Sequence, residues 1–133
     1  MTLAATVLAS GPGWRLADVV CAAGPRDRPF EERHDWVSLA AVVAGAFVYR
    51  ASHGAALLTQ GAVLLGNAGA CFQCGHEHMR GDRCLSLQFA PDYWERLVAA
   101  LPGTRRARFD RPGLPPLDAL LPATAALVAA RDL

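Results

Sequence analysis

Glycine and proline interrupt this chain at short, fairly regular intervals, and that punctuation restricts its fold more than any other feature of the sequence. The chain contains 12 Gly and 9 Pro, and most segments between them are too short for the helices of a bundle. Short apolar segments separated by turn residues are typical of an all-β sandwich or barrel. The segments predicted to be strands are 16–22, 36–43, 46–50, 55–58, 62–65, 72–78 and 84–89.

The pattern changes at Pro91, whose fixed φ and missing N–H suit the first turn of a helix. Apolar residues recur every three or four positions over 91–101, which predicts an amphipathic helix packed against the sheet. The basic stretch 105–109 is predicted to be one more edge strand.

A Pro-Gly-Leu-Pro-Pro segment at 112–116 marks a boundary. Beyond it, residues 117–133 show an apolar helical pattern that Pro122 interrupts. We therefore expect one domain over 1–111, followed over 112–133 by a linker and an apolar helix. This helix either packs back on the domain or meets a partner, most simply a second copy of the chain in a homodimer.

The composition excludes several classes of protein. Hydrophobic residues make up 53% of the chain and charged residues 19%, which excludes a disordered chain. The net charge of +1 provides no basic field for a phosphate backbone. No apolar run reaches the roughly 18 to 20 residues that span a bilayer, and the apolar N-terminus lacks the basic residues of a secretory signal. We expect a cytoplasmic protein with no membrane contact.

Most of the potential metal ligands and reactive side chains lie in the stretch 71–84, which reads Cys-Phe-Gln-Cys-Gly-His-Glu-His-Met-Arg-Gly-Asp-Arg-Cys. In a strand over 72–78, side-chain alternation places Cys74, His76 and His78 on one face. If residues 80–82 turn the chain back, Cys84 lies beside these histidines, with cross-strand Cβ atoms about 4.5 to 5.5 Å apart. Two thiolates and two imidazoles suit tetrahedral Zn²⁺, so these four residues are the predicted metal ligands. A thiol pair and plain packing are the alternatives.

The second strand of this expected hairpin alternates as well. Its apolar positions are Leu85, Leu87 and Phe89, and its polar positions are Cys84, Ser86 and Gln88. No Ser-His-Asp arrangement, phosphate-binding glycine loop or paired-carboxylate site is recognisable.

Residues 36–89 resemble the N-terminal sensor domain of AraC-type transcriptional regulators, which is a cupin β-barrel. The resemblance lies in the runs 61–69, 74–78, 81–84 and 90–93. Gly61 and Gly69 fit the second cupin signature, G-x5-P-x-G-x2-H, although Asn67 stands at its Pro and Phe72 at its His. The first cupin signature, with its H-x-H and Glu, has no match between Gly45 and Gly61.

This resemblance implies a mainly β fold, a cupin-like double-stranded β-helix or jelly-roll barrel with one or two C-terminal helices. It also implies a small-molecule effector in the barrel mouth, where we expect contacts from Trp36, Tyr49, Phe72 and His34. DNA would be bound only by a pair of helix-turn-helix motifs, which the 133 residues do not contain.

Two other functions fit the same residues. The first is a small metal-dependent cupin enzyme, in which His76, His78 and a thiolate surround an open metal position. The second is a redox sensor in which Cys74 and Cys84 join as a disulfide.

Overall fold

Two antiparallel sheets face each other in the computed structural model, which describes residues 3–29, 31–77, 79–103 and 106–133. The strands are β1 Leu3–Gly11, β2 Trp14–Cys21, β3 Glu32–Arg33, β4 Val37–Gly45, β5 Phe47–Ala51, β6 Gly54–Leu58, β7 Val63–Gly66, β8 Cys71–Gly75, β9 Asp82–Phe89 and β10 Gly113–Leu114. The helices are α1 Pro91–Ala100, a 3₁₀ turn at Asp118–Leu120 and α2 Leu121–Arg131. The six-stranded sheet has the order β1-β2-β9-β4-β7-β10, and the four-stranded sheet has the order β3-β8-β5-β6. No helix in the described ranges is both long and apolar enough to cross a bilayer.

All seven predicted strands are present, with ends displaced by a few residues. Strands β1, β3 and β10 were not predicted. The longest of them, β1, is exposed along nearly its whole length as the edge of the six-stranded sheet. Such a strand has no buried face, and it therefore lacks the apolar alternation that marks a half-buried strand.

The predicted edge strand at 105–109 is wrong over the residues that the structure describes, 106–109, which form no strand. The backbone groups there form hydrogen bonds with side chains instead of with a neighbouring strand. Asn67 accepts a hydrogen bond from the Phe109 amide at 2.8 Å and donates one to its carbonyl at 3.0 Å, while the Trp94 indole donates to the Ala107 carbonyl at 2.7 Å. Arg105 lies outside the described residues.

The expected hairpin between 72–78 and 84–89 is also wrong. Strand β8 pairs with β3 and β5, whereas β9 lies in the other sheet between β2 and β4. Strands β8 and β9 therefore belong to different sheets, and Cys84 lies opposite Val19 and Val42 rather than opposite a histidine. Cys74 and Cys84 consequently reach the barrel interior from different sheets.

The apolar and polar residues that alternate along β9 lie on opposite faces of the sheet. Among its outward residues, Leu85 is fully buried, and Phe89 packs against α1, with ring centroids 5.9 Å from Tyr93 and 5.5 Å from Trp94. Its polar positions point into the barrel, where Cys84, Ser86 and Gln88 line a cavity. The polar face of this strand is therefore an interior face, and it defines one wall of the candidate site.

The C-terminal segment departs from the expected pattern in one detail. Pro122 does not interrupt a helix, because it lies in the first turn of α2, where its missing N–H leaves no bond unmade. Before this helix, Gly113 and Leu114 pair with β7 and so extend the six-stranded sheet.

Candidate functional site

A cavity of about 250 Å³ lies between the two sheets. Six of the residues that the sequence singled out line it: His34, Trp36, Phe72, Cys74, His76 and Cys84. Tyr49 is fully buried directly behind this lining and contacts it through His34. His78 lies outside the described residues. The structure thus gathers most of the expected effector-binding and metal-binding residues around one space.

One end of the cavity, which we call the aromatic end, is lined by His34, Trp36 and Phe72, with Tyr49 behind them. The His34 ring stacks on Phe72 with centroids 4.0 Å apart, and its Nε2 lies 2.9 Å from the Tyr49 hydroxyl. Tyr49 also contacts the carbonyl of Leu65 at 3.3 Å. Burial, with a smaller contribution from His53, lowers the pKa of His34 to about 4, so this imidazole is neutral at physiological pH.

Trp36, which immediately precedes β4, is held by a basic residue of β2, a strand of the same sheet. The Arg15 guanidinium lies 4.4 Å from its ring centroid, and the same group donates to the Asp35 carboxylate at 2.9 and 3.1 Å. Arg15 also bonds Gln88, another cavity residue. These contacts fix the Trp36 ring as a flat wall against which a small molecule can pack.

The opposite end, which we call the thiol end, contains Cys21, His76, Asp82 and Cys84. His76 Nε2 forms a buried hydrogen bond with Asp82 Oδ2, and the two side chains are only 1% and 8% exposed. Cys84 Sγ lies 3.7 Å from the other carboxylate oxygen, Oδ1. One donor atom each from Cys21, His76 and Asp82 falls within 4.8 Å of the others.

Negative and acidic groups accumulate at this end. Burial raises the pKa of Asp82, although the hydrogen bond from His76 opposes the shift. Burial and then the nearby Asp82 raise the pKa of Glu32 and of Cys84. Burial likewise raises the pKa of Cys74. These groups therefore disfavour one another's ionised forms, and a cation placed among them would be stabilised.

Sequence reasoning missed two of these residues. Cys21 lies 50 positions before the Cys/His stretch, and only the register of β2 against β9 places it opposite Asp82. Asp82 was assigned to a turn because it follows Gly81, whereas it is the first residue of β9. The sequence did offer one signal, since Asp82 is an acidic residue between the predicted ligands His78 and Cys84. Which way its side chain points depends on the strand pairing, and that pairing was predicted wrongly.

No protein-family model and no curated protein matches the chain. Solved structures do match. The cupin domain of Cnp3 from Schizosaccharomyces pombe has a TM-score of 0.59 at 11% identity, covering 77% of this chain and 72% of that one. A cupin superfamily protein from Desulfitobacterium hafniense has a TM-score of 0.55 at 16% identity, covering 67% and 78%.

A third similar structure is the iron(II) form of HppE in complex with substrate, with a TM-score of 0.56 at 14% identity. The match covers 64% of this chain and 52% of that one. At such identities the likeness concerns the fold alone. The expected fold class is confirmed: this chain is a mainly β barrel with the cupin fold and C-terminal helices.

Proposed function

We propose that this chain is the effector-sensing domain of an AraC-type transcriptional regulator, and that its effector is a small molecule bound between the two sheets. The observation that carries the proposal is the 250 Å³ cavity, which has an aromatic end and a mainly apolar lining with a few polar groups. Ligand sites of this kind combine apolar walls with a few fixed polar groups. The volume lies below the range of drug-sized pockets, which favours a small metabolite.

Signal transmission from the cavity would run through β9. Gln88 lines the cavity, and its neighbour Phe89 packs on Tyr93 and Trp94 of α1. An effector that binds one position of β9 more tightly than another would therefore shift α1 on the outer face. Only such unequal affinity for two arrangements gives an effector control over an attached DNA-binding domain.

The same proposal assigns the partners. DNA contact belongs to a helix-turn-helix domain, because the net charge of +1 gives this chain little attraction for a phosphate backbone. A second copy would pair through the C-terminal segment, where Leu117 and Leu121 are 46% and 59% exposed. We place the protein in the cytoplasm, since the described cysteines are all free thiols.

Zinc is the proposed cofactor, as the sequence suggested with Cys74, His76, His78 and Cys84 as ligands. Support comes from the convergence of Cys74, His76 and Cys84 on one cavity. Thiolate and imidazole donors favour Zn²⁺ over Mg²⁺ or Ca²⁺.

A small metal-dependent cupin enzyme is the second candidate. The iron(II) form of HppE shares the fold, and the thiol end brings a buried imidazole and carboxylate together. The thiol redox sensor has weaker support, because burial raises the pKa of both Cys74 and Cys84 and so disfavours the reactive thiolates.

A cavity-filling substitution tests the sensor proposal. Ala40 lines the cavity and is 5% exposed, so Ala40→Leu adds volume without removing a hydrogen bond. Ala55→Leu makes the same change on the exposed face of β6. In thermal-shift measurements with a panel of sugars, amino acids, amines and carboxylic acids, a compound that stabilises the wild type should stabilise Ala55→Leu equally and Ala40→Leu little. Equal stabilisation of both variants would place the binding site elsewhere.

A further inference from the structure

We propose that Cys21, His76 and Asp82 form a zinc site at the thiol end of the cavity, with Cys84 as the neighbouring fourth donor. This inference rests on the proposed zinc cofactor and assigns it ligands that differ from those suggested by the sequence. Only His76 and Cys84 belong to both sets.

The donors converge from three separate parts of the chain. Cys21 ends β2 and lies directly opposite Asp82, the first residue of β9, so the two side chains share a face of the six-stranded sheet. His76 follows β8 at the start of the crossover from the four-stranded sheet. An ion at this point would therefore join both sheets.

The backbone holds this end of the barrel in place. Gly81, with a φ of +75°, donates a hydrogen bond of 2.7 Å to the carbonyl of Ala23. That bond ties the residue before Asp82 to the residues after Cys21. This backbone hydrogen bond and the strand pairing thus fix Cys21 and Asp82 relative to each other.

The distances fit a metal after a small adjustment. Zinc lies about 2.3 Å from sulfur and roughly 2.0 to 2.2 Å from nitrogen or oxygen, so donors of one tetrahedral ion are roughly 3.3 to 3.8 Å apart. The donors of Cys21, His76 and Asp82 already lie within 4.8 Å of one another. Rotation of side chains about χ angles covers the remaining separation of about 1 Å.

Burial favours a cation here. Cys21 and His76 are 7% and 3% exposed, and the Asp82 side chain is 8% exposed. A buried carboxylate is costly unless it is paired, and its partner is now one imidazole. A dication would replace the proton shared by His76 Nε2 and Asp82 Oδ2, and would also stabilise the thiolate of Cys21.

The donor types select the metal. Sulfur and nitrogen ligands suit zinc and exclude a dedicated Mg²⁺ or Ca²⁺ site, which would use oxygen alone. Cys84 completes the set, since its Sγ lies 3.7 Å from Asp82 Oδ1 and the residue is 6% exposed. Four protein donors would make the ion structural, whereas displacement of Cys84 would leave one position for a ligand from the cavity.

The two ligand sets predict different metal environments in the wild-type protein. The set proposed here contains a single imidazole, and the sequence-derived set contains two. X-ray absorption at the zinc edge counts imidazoles from their outer-shell scattering and requires no substitution. One imidazole with sulfur and oxygen ligands is expected for protein purified anaerobically and loaded with one equivalent of Zn²⁺.

Cobalt binding by variants provides the second readout. We expect Cys21→Ser and Asp82→Asn to weaken Co²⁺ binding by about 100-fold or more, with loss of thiolate charge-transfer intensity in Cys21→Ser. Cys74→Ser should bind as the wild type does, as should Cys71→Ser, which alters an exposed thiol. Circular dichroism shows whether each variant is folded. If a variant does not fold, the X-ray absorption spectrum of the wild-type protein still distinguishes the two ligand sets.

Three results would overturn the inference, with different consequences. Two imidazoles at the zinc edge, or loss of binding in Cys74→Ser with retention in Cys21→Ser, would assign the ion to the sequence-derived set and leave zinc as the cofactor. Failure of the wild type to take up one equivalent of Zn²⁺ or Co²⁺ would remove both this site and the zinc part of the proposed function. None of these three results would contradict the effector proposal, because its test uses the Ala40→Leu variant and no metal.

Discussion

At the scale of single residues, the aromatic end depends on how closely His34 approaches the backbone of β7. A Cβ atom placed on Gly66 would lie 2.5 Å from His34 Nε2 and 2.6 Å from its Cε1. A glycine is therefore needed here for space, and not for an unusual φ. The ring also stacks on Phe72, so it has little room to move away.

Gly66→Ala should consequently displace His34 and destabilise the fold by about 1 to 3 kcal/mol, the usual cost of overpacking. Urea denaturation measures the loss. In the His34→Ala background the same substitution should cost much less, because the clashing ring is gone. Equal costs in the two backgrounds would show that His34 is not the obstacle.

His34 also makes stability depend on pH. Its folded pKa of about 4 lies below the ordinary 6.5, chiefly because of burial and then because of His53, while Asp35 opposes the shift. The unfolded chain therefore takes up a proton first, and stability falls as the pH drops from 6.5 towards 4. The slope from this one group is at most about 1.4 kcal/mol per pH unit.

We expect His34→Gln to flatten this part of the stability profile, measured by urea denaturation at successive pH values between 7 and 4. Tyr49, which faces the ring, does not titrate there, because burial raises its pKa further above the ordinary value. An unchanged slope in the variant would assign the proton uptake to another group.

At the scale of elements, Asn67 shows how a departure from a family pattern is accommodated. It stands where the second cupin signature has proline, it is 3% exposed, and both of its polar atoms bind the backbone of Phe109. Proline could make neither bond. The side chain thereby attaches the segment after α1 to the barrel.

Asn67→Ala should leave the Phe109 amide and carbonyl without partners and destabilise the protein by about 1 to 3 kcal/mol. Hydrogen exchange provides the specific readout, since the Phe109 amide should lose protection by more than the amides of β9. Uniform loss of protection throughout the barrel would indicate a general effect on stability instead.

The C-terminal segment carries a prediction about assembly. Leu117 and Leu121 are exposed, and α2 has no buried residue. Removal of residues from Pro115 onward should convert a dimer into a monomer in sedimentation experiments. If the shortened chain keeps the oligomeric state of the parent, the contact between copies lies on another surface.

The sequence predicts elements better than it predicts their pairing. Glycine and proline mark where strands end, so the longer strands over 16–89 were predicted, together with the helix at Pro91, whereas the two-residue strand β3 was not. Pairing depends on which sheet each strand joins, and no local signal shows that β8 and β9 belong to different sheets. The edge strand β1 was missed because no buried face imposes a pattern on it.

The same limit applies to the candidate site. Alternation along β9 correctly separates Cys84, Ser86 and Gln88 from the apolar positions, since this pattern is local. The neighbours of Cys84 come from β2 and β4, which are distant in sequence. Cys21 could therefore enter the site only when the register of β2 was known.

At the scale of the whole molecule, the two faces of β9 have different neighbours. The inner face of β9 lines the cavity, and its outer face supports α1. A change at the cavity can thus reach the surface through adjacent residues of a single strand. If the cavity is the sensing site, ligand binding must change the environment of residues on both faces of β9.

Two-dimensional NMR of the labelled chain, titrated with the panel of small molecules, tests this claim most directly. At least one class of compound is expected to shift the resonances of the Trp36 indole and of the Ser86 and Gln88 amides, together with those of the Tyr93 and Trp94 amides on α1. Ala40→Leu should abolish these shifts. Shifts confined to exposed surfaces, or none from any class in the panel, would contradict the account of the barrel interior as the sensing site.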